Sequence, residues 1–410
     1  MYIKTRLFCV ITSLILIGVS CADKRSEVAK NTIAIEDQMG NYQTLNLSDY
    51  AKSVRYVPLE TNDSVLIREI DNIYYEDDRI LIYDNSGQCL LFDGNGRFIR
   101  NVGHKGQGPD EYLAIRSVNM IPERKQIILN TVPQKLLIYN WDADLIGKYV
   151  YPDFDDGTLS HNILWLRDNY FYATTASYIE YRMRGAIIEA GEKQSAIVTE
   201  FQNYPVRQKS STSFSFYEVD KIYRKDDHIR LFNTMNDTIY TVDENFHLQP
   251  CFVFDMGKYK TSFEWVFTRE PLMDHKYIWP LNVIESNNYI FIQFFFGKHA
   301  PEPFEYVKHY SDAEVVTTNH NVHGIFDKKR GKLQLMKQPI KGKIGFWEDI
   351  YQASVFWPSY ISSDDVMVSY CSAEDFSEMI NQHPAPDILK EMKNTIMPDD
   401  NQIIILARMK

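Results

Sequence analysis

Short apolar strands recur along this chain in a fixed order, each group closed by a polar turn. That recurrence narrows the fold more than any other feature. The first copy is 79–84, then 88–93, the turn Gly94-Asn95-Gly96, and 97–102. The second is 126–129, 135–140, a turn at Asp142-Ala143-Asp144, and 145–150. The third is 170–174, 185–189, a turn at Gly191, and 195–199. The fourth is 228–232, 238–242, Asp243-Glu244-Asn245, and 249–254; the fifth is 289–294, 322–326, 328–331 and 332–336. The last copy is less regular: 365–370, a helical insertion, then 402–407. Asn95-Gly96 supplies the positive φ angles of a tight hairpin. An apolar segment precedes several copies, as at 70–75, 117–121 and 281–284, which makes four strands per module.

Four-stranded antiparallel modules repeating at about 45 residues read as propeller blades. About six fit, so the expected fold is all-β: a six-bladed β-propeller with a small helical insertion near the C-terminus. A β-sandwich is the other all-β solution, but it gives no reason for a repeat. A ring needs closure. The strongly β-forming runs 53–57 and 402–407 are expected to pair in one blade, which removes two exposed edges. The helical segments 373–381 and 386–394 are separated by Pro384 and Pro386 and form an insertion over one face.

The front of the chain carries a leader. Lys4 and Arg6 form a basic start, and 7–17 is apolar apart from Thr12 and Ser13. The run is shorter than the roughly 20 residues of a membrane-spanning helix, so it reads as a secretory signal. Gly18-Val19-Ser20-Cys21 resembles a bacterial lipobox, which implies cleavage before Cys21 and acylation of its thiol. An ordinary cleaved signal is the alternative. The expected organisation is a signal peptide at 1–20, a lipid-anchored tether at 21–31 and the propeller at 32–410. The formal charge is −11. Loss of Lys4 and Arg6 takes it to −13, which disfavours nucleic acid. Beyond Cys9 and Cys21, three distant cysteines remain: Cys89, Cys251 and Cys371. They lie in or beside apolar runs and read as buried free thiols, neither disulfides nor a zinc site. No cofactor and no metal is expected. His320 and His323 stand three apart and read as solvated loop histidines.

Several motifs carry a family resemblance. Residues 56–61 (Tyr-Val-Pro-Leu-Glu-Thr), Leu90-Leu91-Phe92-Asp93 with Gly96, and the loop Gly103-x-x-Gly106-Gln107-Gly108-Pro109-Asp110-Glu111-Tyr112 resemble the NHL-like six-bladed β-propeller lipoproteins of Gram-negative bacteria. Asp399-Asp400-Asn401 before the last strand is similar too. The resemblance implies an envelope-anchored propeller, on the outer membrane, and no defined reaction. The glycines of the 103–112 loop are not a phosphate cradle, because Pro109 and a strand follow them where a helix would be needed. They permit unusual backbone angles as the chain crosses between blades.

In a four-stranded meander the second-to-third loops and the blade-to-blade connections emerge on one end. Those are the long segments here: 103–112, 151–161, 176–184, 201–216, 256–280, 296–321 and 339–352. Long loops on a rigid scaffold are where binding resides. That face gathers Lys105, Asp110, Glu111, Arg182, Arg184, Arg269, His275, Trp279, His299, His309 and Trp347. Aromatic rings beside charged groups suit a glycan, a peptide or a partner protein, including one of the outer membrane. No nucleophile elbow and no His-Glu-x-x-His motif is present. The expected function is therefore non-catalytic binding at the envelope. A propeller-type hydrolase or lyase at the pore mouth is the alternative; it requires two carboxylates, or a carboxylate and a histidine, near the axis.

Overall fold

The computed structural model describes residues 31–152, 160–175, 183–202, 220–233, 236–260, 276–309 and 313–410. Six antiparallel sheets form a six-bladed β-propeller. Blade 1 is Ile70–Glu76, Arg79–Asp84, Cys89–Asp93 and Phe98–Asn101. Blade 2 is Ala114–Ile121, Gln126–Val132, Lys135–Asn140 and Leu145–Tyr149. Blade 3 is Ser160–Arg167, Tyr170–Thr175, Met183–Glu189 and Ala196–Gln202. Blade 4 is Lys221–Lys225, His228–Phe232, Thr238–Val242 and Leu248–Asp255. Blade 5 is Trp279–Glu285, Tyr289–Phe295, Asn321–Asp327 and Lys332–Met336. Blade 6 joins the two halves of the chain: Tyr360–Ile361, Val366–Cys371, Ile403–Met409 and, outermost, Ala51–Pro58.

The apolar runs follow from burial on both faces. Successive side chains of a strand point to opposite faces. In blade 1, Ile80 and Ile82 pack toward blade 6 with Val368, Ile404 and Leu406. Leu81, between them, packs toward blade 2 with Val118, Ile127 and Leu129. In blade 6, Ile403 and Ile405 face blade 5 while Ile404 and Leu406 face blade 1. One apolar cluster fills each of the six junctions between neighbouring blades. Each fully buried aliphatic side chain contributes about 1.5–3 kcal/mol.

The segment before blade 1 straps the ring from outside. Thr32–Ala34 runs parallel to the outer strand of blade 4, and Tyr42–Gln43 parallel to that of blade 5. The repeat pattern anticipates neither. Ile33 and Ile35 enter the cluster between blades 4 and 5; Leu45 and Leu47 enter the next one. The chain then closes the ring as expected, with Tyr56 opposite Ile405 and Val57 opposite Ile404. Asn401 locks this closure. Its buried side chain accepts from the Ile67 N–H at 2.8 Å and donates to the Glu60 and Val65 carbonyls, each at 2.8 Å. It thereby ties the connection into blade 1 to the last strand.

Turn chemistry explains the repeat. Asp93 Oδ1 accepts from the backbone N–H of Asn95 and Arg97, and Asp243 Oδ1 from those of Asn245 and His247. Asn140 Oδ1 does the same for Asp142 and Asp144. The third loop residue then takes positive φ: 84° at Gly96, 59° at Ala143 and 64° at Phe246. In the first of these turns Gly96 alone takes the left-handed angle, so Asn95-Gly96 is not a pair of positive-φ residues. The side-chain acceptor, rather than a second strained residue, holds the loop.

These hairpins and the first-to-second hairpins share one rim. Polar contacts cross every junction there. Arg100 meets Asp144 at 2.8 Å between blades 1 and 2, and Arg124 donates to the Asp168 carbonyl between blades 2 and 3. Arg167 donates to the Glu244 carbonyl, Lys225 to Asn287, and Asn287 to Asp365. Tyr360 donates to Glu76 and completes the circuit between blades 6 and 1. An exposed ion pair such as Arg100–Asp144 contributes about 0.2–1 kcal/mol, so the apolar clusters behind the rim dominate.

The opposite rim is built out. Helices α1 (Ala373–Gln382) and α2 (Asp387–Lys393) join the second and third strands of blade 6. Phe376, Met379, Ile380 and Leu389 bury in the cluster between blades 5 and 6. Ser372 caps α1 by accepting from the Asp375 N–H. The Asn401→Ala variant loses three buried hydrogen bonds and leaves their partners unpaired. It is expected to cost about 2–4 kcal/mol in urea unfolding, with the native fold retained by circular dichroism.

Candidate functional site: the axial cavity

The first strand of every blade lines the axis. Each starts at the long-loop end and finishes at the short-hairpin rim. Between them lies a cavity of about 490 Å³. Its waist is apolar, with Ile73, Met120, Leu164, Ile222, Val283 and Ile361. Its two ends differ in chemistry.

The short-hairpin end is charged and internally compensated. The Glu285 side chain is almost fully buried. It receives Lys328 at 2.7 Å, Arg230 at 3.4 Å and the Tyr223 hydroxyl at 3.1 Å. Glu76 is buried without a cation. It accepts from the Tyr360 hydroxyl (2.6 Å), the Ser363 hydroxyl (2.6 Å) and the Ser363 N–H (2.9 Å). Burial pushes its carboxyl above the usual value of 4.5, and these donors only partly offset that. Arg224 meets Glu123 at 2.8 Å, stacks on the Trp165 ring at 4.6 Å and donates to the Trp165 and Leu166 carbonyls. One guanidinium thus joins blades 2, 3 and 4. Lys225 donates to Asp226 and Asn287 at 2.6 Å each.

The long-loop end is different. Asp71, Asn72, Lys221, Asn282, Ser359 and Tyr370 line it. The first strands of blades 1 and 5 both bulge there: the register shifts between Ile70 and Asn72, and again between Pro280 and Asn282. A bulge re-aims the side chains beside it, and here it sets Asp71, Asn72 and Asn282 at the cavity. Burial, then Glu69 and Asp84, raise the Asp71 carboxyl above its ordinary value. Lys221 donates to the Leu281 carbonyl. Blade 2 bulges at the equivalent place between Ile115 and Ser117, and the Nε of Arg116 there is buried without a hydrogen-bond partner.

A family model for a domain of unknown function, DUF4934, matches residues 30–408. The chain belongs to that family. No curated protein matches it in sequence. Among solved structures, a Bacteroides fragilis protein described as a candidate exported protein superposes with a TM-score of 0.66. It is 20% identical over 93% of this chain and 99% of its own. A DUF4221 member from Bacteroides vulgatus superposes with a TM-score of 0.51 at 10% identity, over 88% of this chain and 97% of its own. Both share the fold of this DUF4934 propeller.

The described site residues read from the sequence do not come together at this cavity. None of Lys105, Asp110, Glu111, Arg184, Trp279 and Trp347 lines the axial cavity. Arg182, Arg269, His275 and Cys21 lie outside the described residues. Glu111 folds back under its own loop: its carboxylate accepts from the Gly108 N–H at 2.7 Å, and a Cβ at Gly106 would sit 2.1 Å from it. Gly103 takes φ +75° as the loop crosses between blades. Asp110 pairs with Lys148 at 2.7 Å, and Lys105 is exposed. Arg184 is a buried partner of Asp220, at 3.7 Å, between blades 3 and 4. Trp279 stacks on Phe295 with centroids 4.4 Å apart. Trp347 meets His383 edge-on at 5.5 Å. His299 packs on Tyr259, and His309 ends a strand of the 304–319 hairpin. The cavity residues were missed because the first strands read simply as apolar runs. The polar breaks in those runs, Glu76 after Tyr74-Tyr75 and Glu285 after Val283-Ile284, are the signal that could have found them.

Among the described residues no group of three or more His, Cys, Asp and Glu could hold a metal. His323 corrects an expectation. It is not solvated: it lies on the third strand of blade 5, is 6% exposed and packs on Trp357 at 4.1 Å. Burial pushes its pKa from 6.5 down to about 3. The unfolded chain therefore takes up this proton at higher pH than the folded one. Stability is lost as the pH falls from 6.5 toward 3. His323→Leu is expected to lose less over that window than the wild type, measured as the difference between their urea-unfolding free energies at each pH.

Proposed function

We propose that this protein is exported, is held on the bacterial cell envelope by a lipid at Cys21, and binds a glycan at the long-loop mouth of its axial cavity without cleaving it. Three features support the export and the anchor: the leader and its lipobox-like Cys21, the resemblance to NHL-like propeller lipoproteins, and the description of the similar Bacteroides fragilis protein as a candidate for export.

One observation carries the binding reading. The carboxylates at the short-hairpin end of the cavity are already committed within the protein: buried Glu285 to two cations and a tyrosine, buried Glu76 to three donors, and the more exposed Glu123 and Asp226 to Arg224 and Lys225. Acid–base cleavage needs two carboxyl groups with faces open to a substrate. The mouth instead offers one carboxylate, two amides, a hydroxyl, a tyrosine and the Lys221 ammonium. That set accepts and donates to vicinal hydroxyls and gives a ring to pack on a sugar face.

Calorimetric titration with envelope and dietary oligosaccharides tests the site. The Asp71→Ala variant is expected to bind at least about tenfold more weakly, since a hydrogen bond to a charged group contributes about 1.5–3 kcal/mol. Mass spectrometry of the recovered sugar is expected to show no new products. Cleavage, or unchanged affinity in the variant, contradicts this reading. The anchor has its own test. Cys21→Ser is expected to move the protein from the membrane fraction to the soluble fraction and to abolish fatty-acid labelling.

A further inference from the structure

Blade 5 carries a hairpin between its second and third strands, Phe304–His309 paired with Glu314–Asn319. It joins no other sheet among the described residues. A lone two-stranded hairpin is marginal in water. This one is also apolar on both faces: Tyr306 is 37% exposed, Val307 43%, Val315 46% and Val316 63%. Four of the twelve exposed large apolar side chains among the described residues sit in it.

We propose that the second strand of this hairpin pairs antiparallel with the same strand of a second copy, about a two-fold axis at Val316. Three features of the strand select that occupant. Val315-Val316-Thr317-Thr318 is four β-branched residues in a row, with no lysine, proline or bulge to blunt the edge. An antiparallel strand pairs with itself only in registers that set a residue against its own copy or against one an even number of positions away. About Val316 this places Val316 opposite Val316, Val315 opposite Thr317, and Glu314 opposite Thr318. No charge meets its like. Third, Val307 already lies opposite Val316 within the hairpin. The joined sheet therefore carries a continuous row of four valines across one face, two from each copy. A heterologous partner strand gains nothing from that symmetry.

Light scattering on the mature protein tests it. Wild type is expected to dimerise with rising concentration. Val316→Lys sets two ammonium groups against each other on the axis and is expected to weaken dimerisation about 100-fold, with unchanged circular dichroism because the position is exposed. Val316→Cys brings two thiols together across the axis and is expected to form an intermolecular disulfide on mild oxidation. Val307→Cys lies a strand away from the axis and is expected not to. A wild type that stays monomeric at hundreds of micromolar overturns the proposal. So does cross-linking through position 307 in place of 316, which would move the interface to the other edge. Glycan binding at the axial mouth is measured separately and does not bear on either result.

Discussion

Burial on both faces of every blade is the constraint on which this structure depends. A four-stranded blade alone would expose both of its apolar faces to water. Here each face meets the next blade, so odd and even positions of the same strand serve different junctions. The consequence is a ring that has to close. If Ala51–Pro58 left blade 6, Ile404 and Leu406 would still have blade 1 as a neighbour, but the strand Ile403–Met409 would become an open edge. The segment 31–58 answers this in one sweep. It covers the outer strands of blades 4 and 5 and then completes blade 6. The phenylalanine-rich junctions lie in this sector: Phe254, Phe294 and Phe326 fill one, and Phe291, Phe346, Phe356 and Phe376 the next.

The sequence made the modules visible because their turns are chemically explicit. Asp93, Asn140 and Asp243 stand at the same point of blades 1, 2 and 4 and do the same work, so the repeat can be read without coordinates. Closure by 53–57 and 402–407 was legible for a related reason: both are strongly β-forming runs at opposite ends of a ring. The strap at Thr32–Ala34 and Tyr42–Gln43 was not, because strands of two or three residues carry no periodicity. His323 was misjudged because its burial comes from Trp357, a residue far along the chain. The cavity lining was hidden for a third reason. Its polar side chains reach the axis through strand ends and bulges, and a bulge is a feature of pairing, not of composition.

The buried charges set how the two ends of the cavity differ. Taking Glu285 out of water is costly, and Lys328, Arg230 and Tyr223 offset that cost only while their geometry holds. The same residues come from blades 4 and 5, so the network fixes those blades against each other. Arg224 fixes blades 2, 3 and 4 in the same way through Glu123 and the Trp165 ring. The floor of the cavity is thus part of the scaffold. Groups that hold the ring rigid are poorly suited to exchanging protons with a substrate. Among the described residues the mouth carries no such network, and this is what favours it as the end proposed for binding.

Among the described residues the long-loop rim is most elaborated in one sector. Over blades 5 and 6 it carries α1, α2, the short hairpin Phe346–Trp347 with Val355–Phe356, and the protruding hairpin of blade 5. The short hairpin is fixed from inside: Glu348 accepts from the Ile350, Tyr351 and Ala353 N–H groups and from the Tyr56 hydroxyl. Burial raises the Glu348 carboxyl, so this loop holds its shape at the expense of a desolvated acid. The valines of the blade 5 hairpin, by contrast, are exposed on both of its faces. A protein that stabilises one insertion so thoroughly and leaves its neighbour bare has separated two roles. The first is fixed to the ring. The second lines no part of the axial cavity, so the proposed association through Val316 would leave that cavity uncovered by the hairpin.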